Sequence, residues 1–279
     1  MKKRAVYKGT NRYREFLSAA KIIASKISQI EGVVGILATG GIGRGYCDDY
    51  SDLDLIVYVD NDKVKGIDKY IAVGGMRYKG IELDTPVESY QKALHHKSPS
   101  KYWSQVMRWD RENSQLLFDT KDRIANLLKE KLIFPDSEQK KLLSAYSENV
   151  DEHLNHNFKL WEMRGGVVNL ADSLIRAVEN TILWIYAKNK KFQPYIPKWL
   201  FYHLENNSVF EGRYFGTLKR AYLTSVTTIA QARKIRGKLI KVCKKIGIEF
   251  EYDDLEAVFE EERSNWEKAA EKTKFYLSW

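Results

Sequence analysis

Apolar positions along the chain come in two rhythms. Tyr13, Phe16, Leu17, Ala20, Ile23, Ile27 and Ile30 recur at helical spacing, which predicts an amphipathic helix over Asn11–Ile30. Short apolar runs follow. Val33–Ala38 (VVGILA) ends in the turn-forming Thr39-Gly40-Gly41, and Leu53–Val59 (LDLIVYV) ends in Asp60-Asn61-Asp62, so both read as strands. Lys79–Val87 (KGIELDTPV) and Gln115–Asp119 (QLLFD) are a third and fourth strand, with a helix expected between them over Ser98–Trp109. Past residue 134 the rhythm turns helical, over segments 138–163, 166–188, 196–206, 213–245 and 253–277, broken at Asn189-Lys190, Pro194, Pro197, Asn206-Asn207 and Gly247. The pattern predicts an α/β domain over residues 1–134 and an all-helical domain over 135–279, divided at Pro135-Asp136-Ser137.

Composition agrees with two packed domains in 279 residues: 44% of the chain is apolar, and 7 Trp, 17 Tyr and 11 Phe supply bulky core side chains. Cys47 and Cys243 are too few for a disulfide framework and lack metal-site spacing, so a reducing cytoplasm is expected. The basic N-terminus has no apolar core of the kind a secretory signal needs. The longest apolar-rich stretch, Leu170–Tyr186, is interrupted by Asp172, Arg176 and Glu179 and reads as a buried helix, so no membrane span is expected. The net charge of +9 suits a polyanionic partner, either nucleic acid or a nucleotide phosphate tail. Residues 1–134 hold 23 basic and 17 acidic side chains and so carry +6 of that charge.

The chemistry concentrates in Gly40-Gly41-Ile42-Gly43-Arg44-Gly45 followed by Ser51-Asp52-Leu53-Asp54-Leu55. Side chains in a strand alternate, so Asp52 and Asp54 share one face while Leu53, Leu55, Val57 and Val59 point into a core. Two carboxylates side by side repel each other, and a divalent cation relieves that cost. Mg²⁺ takes one or two carboxylates together with substrate phosphates, and a pair of such ions clamps the attacking and leaving oxygens of an in-line phosphoryl displacement. Gly40 and Gly41 allow a tight turn whose backbone N–H groups approach phosphate oxygens, at the start of a helix. Arg44 is placed to pair with a carboxylate or to contact phosphate directly. Neither a dinucleotide-binding fingerprint nor a P-loop fits: Tyr46 stands where a third glycine is needed, and no Lys-Ser/Thr follows the turn.

The run G-G-x-x-R-G followed by S-D-L-D-L resembles the signature of the DNA polymerase β-type nucleotidyltransferase superfamily, and most resembles its antibiotic-modifying (aminoglycoside and lincosamide) members. The likeness covers about residues 33–120, including Leu116-Leu117-Phe118-Asp119 as the last sheet strand. It implies an α+β nucleotidyltransferase domain, a small mixed sheet with helices, ahead of an all-α helical bundle. It also implies ATP or another NTP as co-substrate, two Mg²⁺ ions held by Asp52, Asp54 and a third carboxylate, and a phosphate-binding turn at Gly40, Gly41, Arg44 and Ser51. Glu82 and Asp84 share one face of the third strand, and either fits the third carboxylate; the apolar-Glu-apolar pattern favours Glu82 as metal ligand and base. In the helical half no residue-by-residue match exists. Lys198 is a candidate phosphate contact there, and Tyr195 and Trp199 are candidates to stack on a base or ring.

The expected reaction moves a nucleoside monophosphate onto a hydroxyl of a small-molecule acceptor such as an aminoglycoside-like antibiotic and releases pyrophosphate. The alternatives are a protein side chain (AMPylation) or an RNA 3′ end as acceptor, and a non-catalytic nucleotide-binding module. RNA is possible but not favoured, because neither a Lys/Arg run nor an aromatic-basic pattern is present. A helical-domain RNase is disfavoured because no Arg in that half has a His four to six residues later. His153 and His156 near Asp151 and Glu152 read as surface or capping residues before a metal site. Cys47 reads as a bystander. A homodimer is possible through the resemblance alone.

Overall fold

The computed structural model describes residues 10–60, 67, 76–97, 100, 102–195, 198–199, 202–203 and 212–250. Its contacts divide the chain into two compact units, one of Met1–Glu138 with Lys190–Asn206, the other of Gln139–Asn189 with Asn207–Trp279. The first unit thus takes up a segment from far along the chain. Among the described residues no helix is long and apolar enough to cross a membrane.

In the first unit the chain runs α1 (Tyr13–Ile27), β1 (Val33–Ala38), a one-turn α2 (Gly40–Arg44), β2 (Leu53–Val59), β3 (Arg77–Tyr78), β4 (Ile81–Asp84), β5 (Val87–Ser89), α3 (Tyr90–His95), α4 (Gln105–Glu112), β6 (Gln115–Asp119) and α5 (Arg123–Lys131). The sheet is mixed, ordered β3-β4-β2-β1-β6, with β5 also along β2. β1 pairs antiparallel with β2 and β6, whereas β4 and β5 both run parallel to β2. All six residues of β1 are buried, as expected for a central strand covered on both faces. One face packs Leu53, Leu55, Val57 and Val59 of β2 against Phe16, Ala20, Ile23 and Ile27 of α1. The other joins Ile56 and Tyr58 to Trp103, Ile124 and Leu127.

The expected strand over Lys79–Val87 is three pieces. Lys79 (φ 49°) and Gly80 (φ 85°) form a tight turn between β3 and β4, the left-handed pair that a two-residue hairpin requires. Thr85 and Pro86 then interrupt the pairing along β2, since proline has no N–H for the ladder, although its carbonyl still accepts from Val57 N at 3.0 Å. The helix expected over Ser98–Trp109 begins later, at Gln105, where the Ser104 hydroxyl accepts from Met107 N.

The second unit holds most of α6 (Asp136–Asp151), a π-helical turn (Glu152–His156), α7 (Asn157–Met163), α8 (Val167–Lys188), α9 (Gly212–Leu223) and α10 (Ile229–Ile246). α8 packs against α7, α9 and α10, and buries Leu170, Leu174, Val178 and Ile182. Arg236 of α10 donates to the Leu154 carbonyl inside the π-turn, where regular helical pairing is lost, and to Asn155 Oδ1 at 2.6 Å. The helix expected over 213–245 is two helices. The run Thr224–Thr228 favours side-chain-to-backbone bonding over helix, and Thr228 caps α10 by accepting from Gln231 N at 3.2 Å. The helix expected over 253–277 and most of that over 196–206 lie outside the described residues.

Candidate active site

β1 delivers the chain to the glycine turn, and β2 brings the carboxylates up beside it. Thr39 N donates to the Asp54 carbonyl at 3.0 Å, so the sheet ladder persists to the point where the chain turns. Gly40 follows with φ 51°, a conformation that disfavours a side chain. A Cβ there would lie 1.7 Å from Asp54 Oδ2, which means the carboxylate rests directly against the Gly40 Cα. The amides of Ile42 and Gly43 turn back to the Thr39 carbonyl, whereas those of Gly40 and Gly41 meet no acceptor among the described residues. Beyond the turn, Asn11 pins the chain by donating to the Gly45 carbonyl and accepting from Cys47 N, each at 3.1 Å.

Asp54 is the most perturbed carboxylate of the site. Burial first, then Asp52 and Asp84, push its pKa up to about 7. Asp84 is its register partner in the parallel β2–β4 pair, and burial and Asp52 raise that carboxyl as well. Glu82 faces Arg77 in the β3–β4 pair and is drawn toward it, 3.8 Å from Arg77 Nη2. Of the two carboxylates that sequence left open, Asp84 is therefore the one beside Asp54. Ser51 serves the loop rather than the turn: its hydroxyl accepts from Asp48 N and donates to Asp48 Oδ1, fixing the approach to Asp52.

Arg44 forms no ion pair with a carboxylate among the described residues. Its guanidinium carbon sits 4.1 Å from the centroid of the Trp199 ring, its Nη2 lies 3.7 Å from where a Gly41 Cβ would be, and its Nε is buried with no acceptor. Burial lowers its pKa, opposed first by Asp54. Trp199 therefore lends a ring face to Arg44. Tyr202 donates its hydroxyl to the Arg44 carbonyl at 3.3 Å, and Tyr46, Trp199 and Tyr202 pack ring to ring with centroids 5.5–6.1 Å apart. His203 meets the Trp109 edge at 4.6 Å, and burial and the nearby Arg44 hold its pKa down at about 3. Lys198 and Tyr195 are exposed on the same returning segment.

Three groups here went unnoticed in the sequence. Asp110 of α4 meets no donor among the described residues, and burial pushes it up to about 6 against the pull of Arg111 and Arg44. Tyr202 and His203 arrive from a distant segment. No spacing rule links any of them to the aspartates; α4 reaches the turn because Asn113 packs against Gly43, and Asp110 lies one turn earlier on that helix face. Cys47 is buried with its thiol pushed up to about 12, so it stays protonated at neutral pH.

Among the described residues no group of three His, Cys, Asp or Glu side chains is arranged to hold a metal by itself. The Asp-x-Asp pair nevertheless offers the two carboxylate donors that Mg²⁺ combines with substrate phosphates, so the donor set fits an ion that arrives with its nucleotide. No family model matches the sequence, and no curated protein matches it. A solved structure, that of a nucleotidyltransferase-like protein from Exiguobacterium sibiricum, is similar to this chain over 82% of its length and 74% of the other's, with 13% identity and a TM-score of 0.45.

Proposed function

We propose that this protein is a nucleotidyltransferase that moves a nucleoside monophosphate, AMP from ATP in the first instance, onto a hydroxyl of a small molecule. The observation that carries the reading is the seating of Asp54 against the bare Gly40 Cα, with Asp52 and Asp84 acting on the same carboxylate. In that arrangement a turn suited to an anion and a carboxylate pair suited to a cation meet where β1 ends and β2 begins. Mg²⁺, when bound through Asp52 and Asp54 with Asp84 or Glu82 completing a site, would neutralise charge on the phosphates.

The chain's own groups then have separate tasks. Gly40 and Gly41 amides and the Arg44 guanidinium receive the β- and γ-phosphate oxygens. Asp84, on the strand beside Asp54, accepts the proton of the acceptor hydroxyl as the hydroxyl oxygen bonds to the α-phosphorus; the bond from the α-phosphorus to the α–β bridging oxygen breaks, and pyrophosphate leaves carrying the bridging oxygen. Positioning and charge complementarity supply most of the rate.

Incubation with Mg²⁺ and each labelled NTP against aminoglycosides, lincosamides, protein and tRNA, with detection of transferred NMP by mass, tests the reading. Transfer to a small molecule is expected. In the Asp52→Asn/Asp54→Asn variant transfer falls at least about a thousandfold while the melting temperature holds, because a repulsive pair is removed. Undiminished transfer in that variant rejects the mechanism.

A further inference from the structure

Arg44 poses a physical problem. A part-buried guanidinium carries donors that must be satisfied or left at a cost, yet its Nε is enclosed without an acceptor and no carboxylate pairs with it among the described residues. It does have a stable position. Trp199 covers one face at 4.1 Å, Nη2 lies over Gly41, and the backbone carbonyl of Arg44 is tied to the Tyr202 hydroxyl. Tyr46 in turn packs on both Trp199 and Tyr202, so the aromatic ring set is itself fixed. The Gly40 and Gly41 amides meet no acceptor among the described residues, and Arg44 Nη2 lies 3.7 Å from where a Gly41 Cβ would be. A stacked guanidinium keeps its edge free for oxygen ligands while its face is covered, and less conformational freedom is lost when the ligand arrives.

We propose that Trp199 is a positioning residue for an oligophosphate: its indole holds the Arg44 guanidinium over the Gly40–Gly41 turn as a preset anion receptor. This deepens the nucleotidyltransferase reading, since the triphosphate of an NTP is the ligand that site would take. Trp199 acts through Arg44 and need not touch the phosphate. The stack is worth roughly a factor of 2 to 30 in affinity, the range of cation–π contacts from exposed to desolvated.

The test is calorimetric titration of the full chain with inorganic tripolyphosphate, which removes base, ribose and acceptor from the question. Trp199→Ala is expected to weaken binding about tenfold. Trp199→Phe, which keeps a ring face, stays within about threefold. Arg44→Lys keeps the charge but loses the planar fork and falls to about the level of Trp199→Ala, and the double variant is no weaker than Arg44→Lys alone. Binding also changes the indole fluorescence of the wild type, and Trp199→Phe loses that component while retaining affinity. Unchanged affinity in Trp199→Ala, additive losses in the double variant, or no tripolyphosphate binding by the wild type overturns the proposal. Should Trp199→Ala not fold, the fluorescence of Trp199→Phe and the deficit of Arg44→Lys still decide it. If the tripolyphosphate results hold but no NMP is transferred to any acceptor, the anion receptor stands and the transferase reading falls.

Discussion

Gly40 carries more constraint than any other single residue of the site. A methyl group there would occupy the space of the Asp54 carboxylate and would sit on a backbone of φ 51°, so Gly40→Ala meets two penalties together. The expected outcome is a stability loss of about 1–3 kcal/mol by denaturant titration and loss of NMP transfer by displacement of Asp54. His203 makes the pH dependence predictable. Its folded pKa of about 3 lies below the ordinary 6.5, so the fold binds fewer protons there than the unfolded chain does between those values. Its contribution is fully present above pH 6.5 and is lost as pH falls from 6.5 toward 3. His203→Gln is expected to lose less melting temperature than the wild type between pH 7 and pH 5; an equal loss would place the acid sensitivity elsewhere. Sequence revealed the Gly-Gly turn and the aspartate spacing because both are local. It favoured Glu82 over Asp84 but could not settle the choice, since that depends on which strand lies beside each: Arg77 opposes the first and Asp54 the second.

Among the elements, α4 joins the site to the scaffold. Its Arg111 is buried, donates Nε to the Tyr58 hydroxyl at 2.9 Å and Nη2 to both Glu88 oxygens at 2.6 and 2.8 Å, and stacks 4.8 Å from the Trp103 ring. Arg108 on the same helix is fully enclosed and paired with Glu138. Nothing in the periodicity of QVMRWDRE announces two buried arginines, because a helical pattern reads charge as surface; only the acidic partners from β5 and α6 make burial tolerable. Arg111→Leu is therefore expected to cost about 3–5 kcal/mol in chemical denaturation, through a stranded Glu88 carboxylate, and Arg111→Leu with Glu88→Leu should recover much of it. The strands that ran as continuous apolar stretches were legible from the sequence. The breaks at Thr85-Pro86 and Thr224–Thr228 were not, since each depends on how the chain is paired or capped.

Across the whole chain, the sequence suggests a single cut at residue 134, whereas the contacts group Lys190–Asn206 with Met1–Glu138 in one unit. That segment supplies Phe192 against Phe134 and under the Arg108 guanidinium, a Lys190–Asp136 ion pair, and the Trp199, Tyr202 and His203 rings. A chain ended at Glu138 is expected to melt well below the full protein by circular dichroism and to bind tripolyphosphate poorly, because Arg44 loses its ring. No hydrophobic periodicity announces such a return, since it consists of single side chains and not of an amphipathic face. The interleaving also sets an order of events during synthesis. At roughly 5–20 residues per second, α1 to α5 leave the ribosome several seconds before Trp199 exists. In that interval the glycine turn and its aspartates are made but Arg44 has no stacking partner, so a nascent chain carries the carboxylates and the turn before the Arg44–Trp199 stack can form.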